Sequence, residues 1–326
     1  MCKRVLVTGA NGFVGQHLCR RLLEMRKEVS ACIREEADSS VFGNAADSLR
    51  IQRIPSLGSG ADLSKVSLDV DAVIHLAGRA HIMRDDAADP LDEFRKVNVG
   101  GTESLALMAS RKGVKRFIYV SSIKVNGEAT YGRPFCADDP PGFSDPYGQS
   151  KWEAEEGLRK IAAKANMEWV VVRPPLVYGP GVRGNFLTLL KCVLRGIPLP
   201  VGSLKNRRSL VSVYNLSEFL CLLLDRPAAA NSRFVVGDAE DISTPDLIRR
   251  MAGALQCSAR VVRCPETVLH LAGTLLGKNA AVQRLCSSLV IDREKTSKYL
   301  DWSAPITIDW TLDRTAEWFL GKRLRL

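Results

Sequence analysis

Short apolar runs recur through the first half of the chain, each followed by a stretch with helical spacing. Arg4-Val5-Leu6-Val7-Thr8 reads as a buried strand. Phe13 to Met25 puts Val14, Leu18, Leu22 and Met25 on one face and reads as a helix. Glu28 to Arg34, Leu49 to Ile54 and Ala72 to Leu76 read as further strands. Leu91 to Gly113 is mainly helical and stops at a glycine, as helix C-termini often do. Phe117 to Val120 is a strand, Glu153 to Lys164 a helix, and Trp169 to Val172 a strand again. Strands that are apolar throughout, alternating with helices, predict a parallel sheet covered on both faces. The expected fold class is α/β, doubly wound.

After Arg173-Pro174-Pro175 prolines and glycines become frequent, helices shorten and the alternation loses regularity. Residues 1–172 are therefore expected to form the sheet domain, and 173–326 mainly a smaller mixed α/β substrate-binding region. Segments at about 210–236, Ser212–Leu224 or Phe234–Val236, are expected to return to the first sheet.

The chain has 326 residues and a formal net charge of +10, with basic residues scattered apart from Arg207-Arg208 and the tail Lys322-Arg323-Leu324-Arg325. That charge suits an anionic small molecule, or weak association with a membrane surface. No RNA-recognition or zinc-finger spacing accompanies it, so nucleic acid is disfavoured. The nine cysteines form no C-x-x-C pair, and His is scarce, so no metal site is expected. No apolar run reaches the ~18–20 residues that span a bilayer, and Met1-Cys2-Lys3-Arg4 leads directly into a strand. A cytoplasmic protein is the expectation.

Gly9, Gly12 and Gly15 lie between the first strand and first helix, in VLVTGANGFVGQHL. Dinucleotide binding needs a tight turn there, a backbone that approaches a pyrophosphate closely, and a helix packed tightly on the strand. The helix N-terminus then offers unpaired N–H groups to the phosphates. This position and context predict a Rossmann-type domain binding a dinucleotide. In such domains an acid after the second strand holds the adenosine ribose, or an arginine accepts the extra phosphate of NADP. Here Arg34 takes that place, with Glu35 beside it, so NADP(H) is favoured and NAD(H) is the alternative.

Pro146 to Trp152 contains Tyr147 and Lys151, four residues apart and so on one helical face. A tyrosine of ordinary pKa ~10 is a poor base, and a neighbouring ammonium is expected to lower that value. Tyr147 could then exchange a proton with a carbinol oxygen while hydride moves to or from the nicotinamide. About 25 residues earlier, the strand Phe117–Val120 ends in Ser121-Ser122.

The T-G-x-x-G-x-x-G loop, Asp71 to Gly78, Val97 to Thr102, the Ser121-Ser122 strand end, Tyr147/Lys151 and Arg173 to Gly181 occur in one order over nearly the whole chain. That order resembles the extended short-chain dehydrogenase/reductases, among them the nucleotide-sugar epimerases and reductases. The resemblance is strongest to a UDP-glucose 4-epimerase-like subgroup that includes reductases of UDP-4-keto-6-deoxy-N-acetylglucosamine, which make UDP-N-acetylquinovosamine for surface polysaccharide.

The resemblance implies roles residue by residue. Tyr147 is the acid/base, Lys151 tunes it and binds the nicotinamide ribose, and Ser122 bonds the sugar oxygen. Gly9, Asn11, Gly12, Phe13, Val14, Gly15, Arg34, Asp62, Leu63, Leu76, Ala77, Gly78, Val120 and Pro174 line the cofactor. Ser121, Ser122, Lys124, Asn185 and Arg208 meet a UDP-sugar. Arg207 is a runner-up to Arg208 as diphosphate clamp, and Arg284 stands near a late substrate arginine. Leu176 replaces an asparagine that many relatives carry. Asn98 and His75 are expected to be structural, and His81 a pocket residue. A homodimer is implied.

A 4,6-dehydratase needs an acid pair after the strand-end serine, where this chain has Ile123-Lys124. That leaves an NADPH-dependent 4-ketoreductase, favoured by Arg34, and an NAD-dependent 4-epimerase. Non-catalytic Rossmann redox sensors and assembly proteins typically lose the Tyr/Lys pair, which is present here.

Overall fold

A computed structural model describes residues 2–61, 63, 65–80, 89–275, 277 and 279–323. The strands, in chain order, are β1 (Arg4–Thr8), β2 (Glu28–Arg34), β3 (Leu49–Ile54), β4 (Ala72–His75), β5 (Arg116–Val120), β6 (Glu168–Arg173), β7 (Leu176–Tyr178), β8 (Arg208–Ser212), β9 (Ser232–Val235) and β10 (Asp241–Ile242). Seven of them form one parallel sheet in the order β3-β2-β1-β4-β5-β6-β9. The order reverses between β1 and β4. At such a switch point a doubly wound sheet opens a crevice beyond the carboxyl ends of its strands.

The helices are α1 (Phe13–Glu24), α2 (Pro90–Phe94), α3 (Gly101–Arg111), α4 (Pro146–Ala165), α5 (Gly184–Leu194), α6 (Val213–Leu223), α7 (Thr244–Ala254), α8 (Glu266–Leu275), α9 (Asn279–Cys286), α10 (Glu294–Leu300) and α11 (Ile308–Arg323). Successive strand residues go to opposite faces of the sheet. Val5 and Val7 join Leu18, Leu22 and Phe219 in a cluster beneath α1 and α6. Leu6 joins Phe117, Leu105 and Leu158 in a cluster beneath α3 and α4. Two covered faces explain why these strands read as continuous apolar runs.

The helix expected over 91–113 runs without a break from Pro90 to Arg111 but widens in its middle. Between α2 and α3 residues Arg95–Gly100 form a π-helical stretch. Such insertions re-aim side chains and recur at functional sites. Here the stretch holds Asn98, fully buried. Its Oδ1 accepts from Arg79 N (2.8 Å), and its Nδ2 donates to Ser150 Oγ (2.9 Å) and Arg79 O (3.2 Å). Helix α4 starts seven residues before Glu153, at Pro146. Asp145 caps it, accepting from Gly148 N at 2.6 Å, and proline occupies the first turn. An Asp-Pro pair is a recognised helix start, and it places Tyr147 in the first turn.

The chain after β6 leaves the large sheet and comes back. Helix α6 covers one face beside α1, and β9 pairs with β6 from Val170↔Ser232 to Arg173↔Val235. The smaller sheet, β10-β8-β7, has its own core, including Tyr178, Phe186, Leu210, Ile248, Met251 and Leu312. Residues 288–291 stitch the two parts together. Phe135 N donates to Val290 O (2.8 Å) on one side, and Ser209 N to Leu289 O (2.8 Å) on the other. Among the described residues no helix is long and apolar enough to cross a membrane.

Candidate active site

The carboxyl ends of β1, β4, β5 and β6 share one edge of the sheet, and each delivers part of the site. After β1, Gly9 takes φ +65°, and a Cβ there would lie 2.9 Å from Ala77 N. A Cβ on Gly15 would lie 2.6 Å from Ala10 O, a separation real Cβ atoms do not reach. Both positions therefore require glycine. Gly12 N closes the turn on Gly9 O at 2.9 Å, and Gly12 caps α1 without any side-chain bond. The first-turn N–H groups of α1 are thus left to an anion. This bare cradle fits a dinucleotide pyrophosphate. Asn11 O accepts from Gln16 Nε2 (2.9 Å), Val14 packs on the main core, and Phe13 packs on the second region.

The threonine before the loop ties β1 to β4. Thr8 Oγ1 meets His75 Nδ1 at 2.6 Å and accepts from Ala77 N at 3.3 Å. His75 Nε2 lies 3.1 Å from Thr102 Oγ1, which donates to Asn98 O. These directions assign the Nε2–H tautomer. Burial, with the Lys151 charge behind it, lowers the His75 pKa to about 3, so the ring stays neutral. His75 thus links β4 to Thr8 and Thr102 from within the buried strand. Leu76, Ala77 and Gly78 continue past β4, and Gly78 faces Lys151: a Cβ there would sit 3.4 Å from Lys151 Nζ.

Ser122, Tyr147 and Lys151 come together above β5. Ser122 Oγ accepts from Lys124 N (3.2 Å), and its hydroxyl is close enough to the Tyr147 phenol to lower that phenol's pKa. Lys151 is 4 % exposed. Its Nζ donates to Val120 O (3.0 Å) and lies 4.6 Å from the Tyr119 ring centroid and 6.0 Å from that of Tyr147. Burial lowers the Lys151 pKa to about 8, with Glu155 opposing. The Tyr147 pKa goes up to about 12, against the expectation from the Y-x-x-x-K spacing. Burial dominates, the Ser122 bond lowers it in part, and Asp145 adds to the rise. The phenol of the protein alone is a proton donor and becomes a base only with further positive charge beside it.

Two expected substrate contacts are committed elsewhere. Ser121 is buried, and its hydroxyl donates to Glu155 Oε1 at 2.5 Å. Glu155 is clamped by Arg173 (2.6 Å) and Arg233 (3.2 Å) in a network whose centre is fully buried. Lys124 Nζ pairs with Glu128 (2.7 Å) and with Asp145, the cap of α4. Burial opposes the Lys124 charge, but the two carboxylates outweigh it and raise the pKa. Lys124 is thus a pin between the strand end and the tyrosine helix. Ile123, which follows Ser122, is buried, and the Glu128 and Asp145 carboxylates are held by Lys124. Pro174 is buried beside the same strand end, its carbonyl accepting from Ile123 N at 3.0 Å.

At the other side of the crevice Arg34 stands exposed at the end of β2, with Glu35 next to it. Leu63, expected to line the cofactor, has its side chain in the core with Leu6, Cys32 and Ile54. Asp62 and His81 lie outside the described residues. Asn185, expected to meet a UDP-sugar, is exposed in the first turn of α5, and Leu176 is exposed at the start of β7. Arg208 is largely enclosed. Its Nη1 donates to Arg284 O (2.8 Å) and Ser287 O (3.0 Å) at the end of α9, and burial lowers its pKa. Arg207 is exposed and paired with Asp241 at 3.0 Å. Arg284 is exposed and meets Arg208 through its carbonyl. The sequence reading missed Asp145, Glu155 and the Arg233 pair. The Asp-Pro signal could have found the first.

The fold and the cluster define a doubly wound α/β protein carrying a Ser/Tyr/Lys group at its switch-point crevice. Residues 5–237 match the model of the NAD dependent epimerase/dehydratase family, and the chain belongs to that family, within the extended short-chain dehydrogenase/reductases. It is 41% identical over 323 residues to a UDP-glucose 4-epimerase of Vibrio cholerae, covering 98% of this chain and 96% of that one. It is 29% identical over 335 residues to an N-acetyl-alpha-D-glucosaminyl-diphospho-ditrans,octacis-undecaprenol 4-epimerase of Escherichia coli O157:H7, again covering 98% and 96%. The fold matches a UDP-glucuronic acid 4-epimerase from Bacillus cereus, solved with NAD, at a TM-score of 0.77 and 20% identity over 98% and 99% of the chains.

Proposed function

We propose that the protein is an enzyme that moves hydride at C4 of a UDP-hexose or UDP-hexosamine. The observation that carries this reading is the convergence of Ser122, Tyr147 and Lys151 above the carboxyl end of β5, facing the glycine cradle of β1. Gly9, Gly12 and Gly15, with the open first turn of α1, would hold the pyrophosphate of a nicotinamide dinucleotide, and Lys151 its ribose. That group supplies a hydride acceptor or donor when bound. Ser122 orients the C4 oxygen. Tyr147 takes the proton from that oxygen or returns it, and the buried Lys151 charge stabilises the phenolate while the proton is away. Arg208 is the diphosphate clamp: an enclosed guanidinium with carbonyl partners retains donors for an anion.

Within this chemistry a 4-epimerase is the form that the two relatives described above favour, and it regenerates its cofactor. A 4-ketoreductase acting on UDP-4-keto-6-deoxy-N-acetylglucosamine is the second reading. The exposed Arg34 at the end of β2 favours it, because a guanidinium there suits the 2′-phosphate of NADPH. The NADP preference has no support from the comparisons, and the UDP-glucuronic acid 4-epimerase described above was solved with NAD. A cytoplasmic homodimer is part of the same proposal.

The deciding experiment incubates the purified protein with UDP-glucose or UDP-N-acetylglucosamine plus NAD, and with the 4-keto-6-deoxy sugar nucleotide plus NADPH or NADH. Interconversion at C4 seen by NMR marks the epimerase. Stoichiometric loss of absorbance at 340 nm marks the reductase, and the preferred coenzyme is compared with that of Arg34→Ala. No turnover of any of these would overturn the proposal.

A further inference from the structure

Helix α8 presents three distinct faces. Leu269 and Gly273 are buried against the protein. Glu266, Thr267, His270 and Thr274 form a polar side. Val268, Leu271, Ala272 and Leu275 follow the i, i+3, i+4, i+7 spacing of a single apolar stripe, and that stripe faces outward. Val268 is 50 % exposed, Leu271 62 % and Leu275 78 %. Val262, just before the helix, is 48 % exposed between the exposed Arg260 and Arg263. Scattered exposed apolar residues need no explanation, but a contiguous row on one helix marks a contact surface.

The charge around the stripe identifies what it contacts. Among the described residues from 260 to 275, the exposed Arg260 and Arg263 stand against one carboxylate, Glu266. The whole chain carries +10. An apolar helical row bordered by cations matches the interface of an anionic bilayer, where side chains enter the acyl boundary and arginines meet headgroup phosphates. A protein partner would have to be both apolar and acidic. The position also has a consequence for the site: α9 packs on α8, and its end supplies the carbonyls that hold Arg208. A surface seated on α8 would lie next to the segment that sets the candidate diphosphate clamp.

We infer that the outer face of α8, with Val262, is a docking surface for an anionic membrane, making this a peripheral membrane protein. The inference concerns where the protein resides and stands apart from the C4 chemistry. Vesicle flotation tests it, using the full-length protein with vesicles of phosphatidylglycerol and phosphatidylethanolamine, or of phosphatidylcholine alone. Wild type is expected to float with the anionic vesicles, weakly with the neutral ones, and less as salt rises. Leu271→Asp/Leu275→Asp should reduce the bound fraction at least ~10-fold, while circular dichroism and turnover of a soluble UDP-sugar stay unchanged. Arg260→Glu/Arg263→Glu should weaken binding chiefly at low salt. Failure of wild type to float with anionic vesicles would overturn the inference. So would flotation that the double aspartate variant leaves intact, or a wild-type dimer that the variant splits without any vesicle binding.

Discussion

Replacing Lys151 with methionine should stabilise the folded protein at neutral pH while it abolishes turnover. The Lys151 ammonium is 4 % exposed, and burial lowers its pKa from the ordinary 10.5 to about 8. In the unfolded chain it titrates near ~10.4. Below pH ~8 both states carry the charge, and folding bears the full cost of enclosing it, about 3 kcal/mol at ~1.4 kcal/mol per pH unit. Between pH ~8 and ~10.5 the unfolded state binds more protons than the native state, so native stability rises with pH across that window. Above it both forms are neutral and the cost is gone.

Against that gain stand two lost contacts. The bond from Lys151 Nζ to Val120 O (3.0 Å) is worth about 1 kcal/mol, and the contact with the Tyr119 ring at 4.6 Å about another 0.5–1. Methionine fills similar space with a flexible apolar chain. The net expectation is a gain of about 1–2 kcal/mol at pH 7 that shrinks and reverses by pH ~10.5. Urea unfolding of wild type and Lys151→Met at both pH values measures it, with the difference between the two proteins cancelling other titrations. A variant less stable at pH 7, or a difference that does not move with pH, would refute the reasoning and show that Lys151 is held neutral or well solvated.

Three further outcomes follow from the site. Tyr147→Phe should lower kcat by about 10²–10⁴ while leaving nicotinamide dinucleotide binding intact, checked by turnover and by a cofactor titration. Ser121→Ala should cost about 1.5–3 kcal/mol of stability, because Glu155 loses a buried donor, yet leave KM for the sugar nucleotide nearly unchanged. A raised KM with unchanged unfolding would instead place Ser121 in the substrate site. Arg208→Met should raise KM for a UDP-sugar at least ~10-fold, about 1.4 kcal/mol. Arg207→Met, at an exposed residue already paired with Asp241, should change it little.

The large sheet was legible because each buried strand left a continuous apolar run and each covering helix a one-sided stripe. The glycine loop was legible because three backbone constraints fall within seven residues. The packing around Arg208 was not. Arg208 is brought to its place by residues 288–291, which pair with β8 on one side and the loop after β5 on the other, and so short a pairing leaves no periodic trace. The electrostatics were misjudged for a related reason. Spacing put a cation one turn from Tyr147, but the pKa of each group depends first on how deeply it is enclosed, and enclosure raises the phenol while it lowers the ammonium.

The two serines after β5 show how far register can be pressed. Phe117 and Tyr119 face the cluster beneath α3 and α4, with Leu158 and Ala162 of α4. Ser121 continues that parity and therefore belongs under α4. Glu155 lies three residues before Leu158 and seven before Ala162, on the same stripe, and its carboxylate receives the Ser121 hydroxyl. Ile118 and Val120 face the opposite cluster, so a strictly continued strand would carry Ser122 there. The strand ends instead: Ser122 caps the short turn at Ile123–Val125, its backbone leaves the sheet, and its hydroxyl reaches Tyr147. Parity thus separates the structural serine from the candidate catalytic one. What frees Ser122 is the turn that Lys124 pins to Asp145, so the pin and the helix cap together set the distance between the serine and the tyrosine.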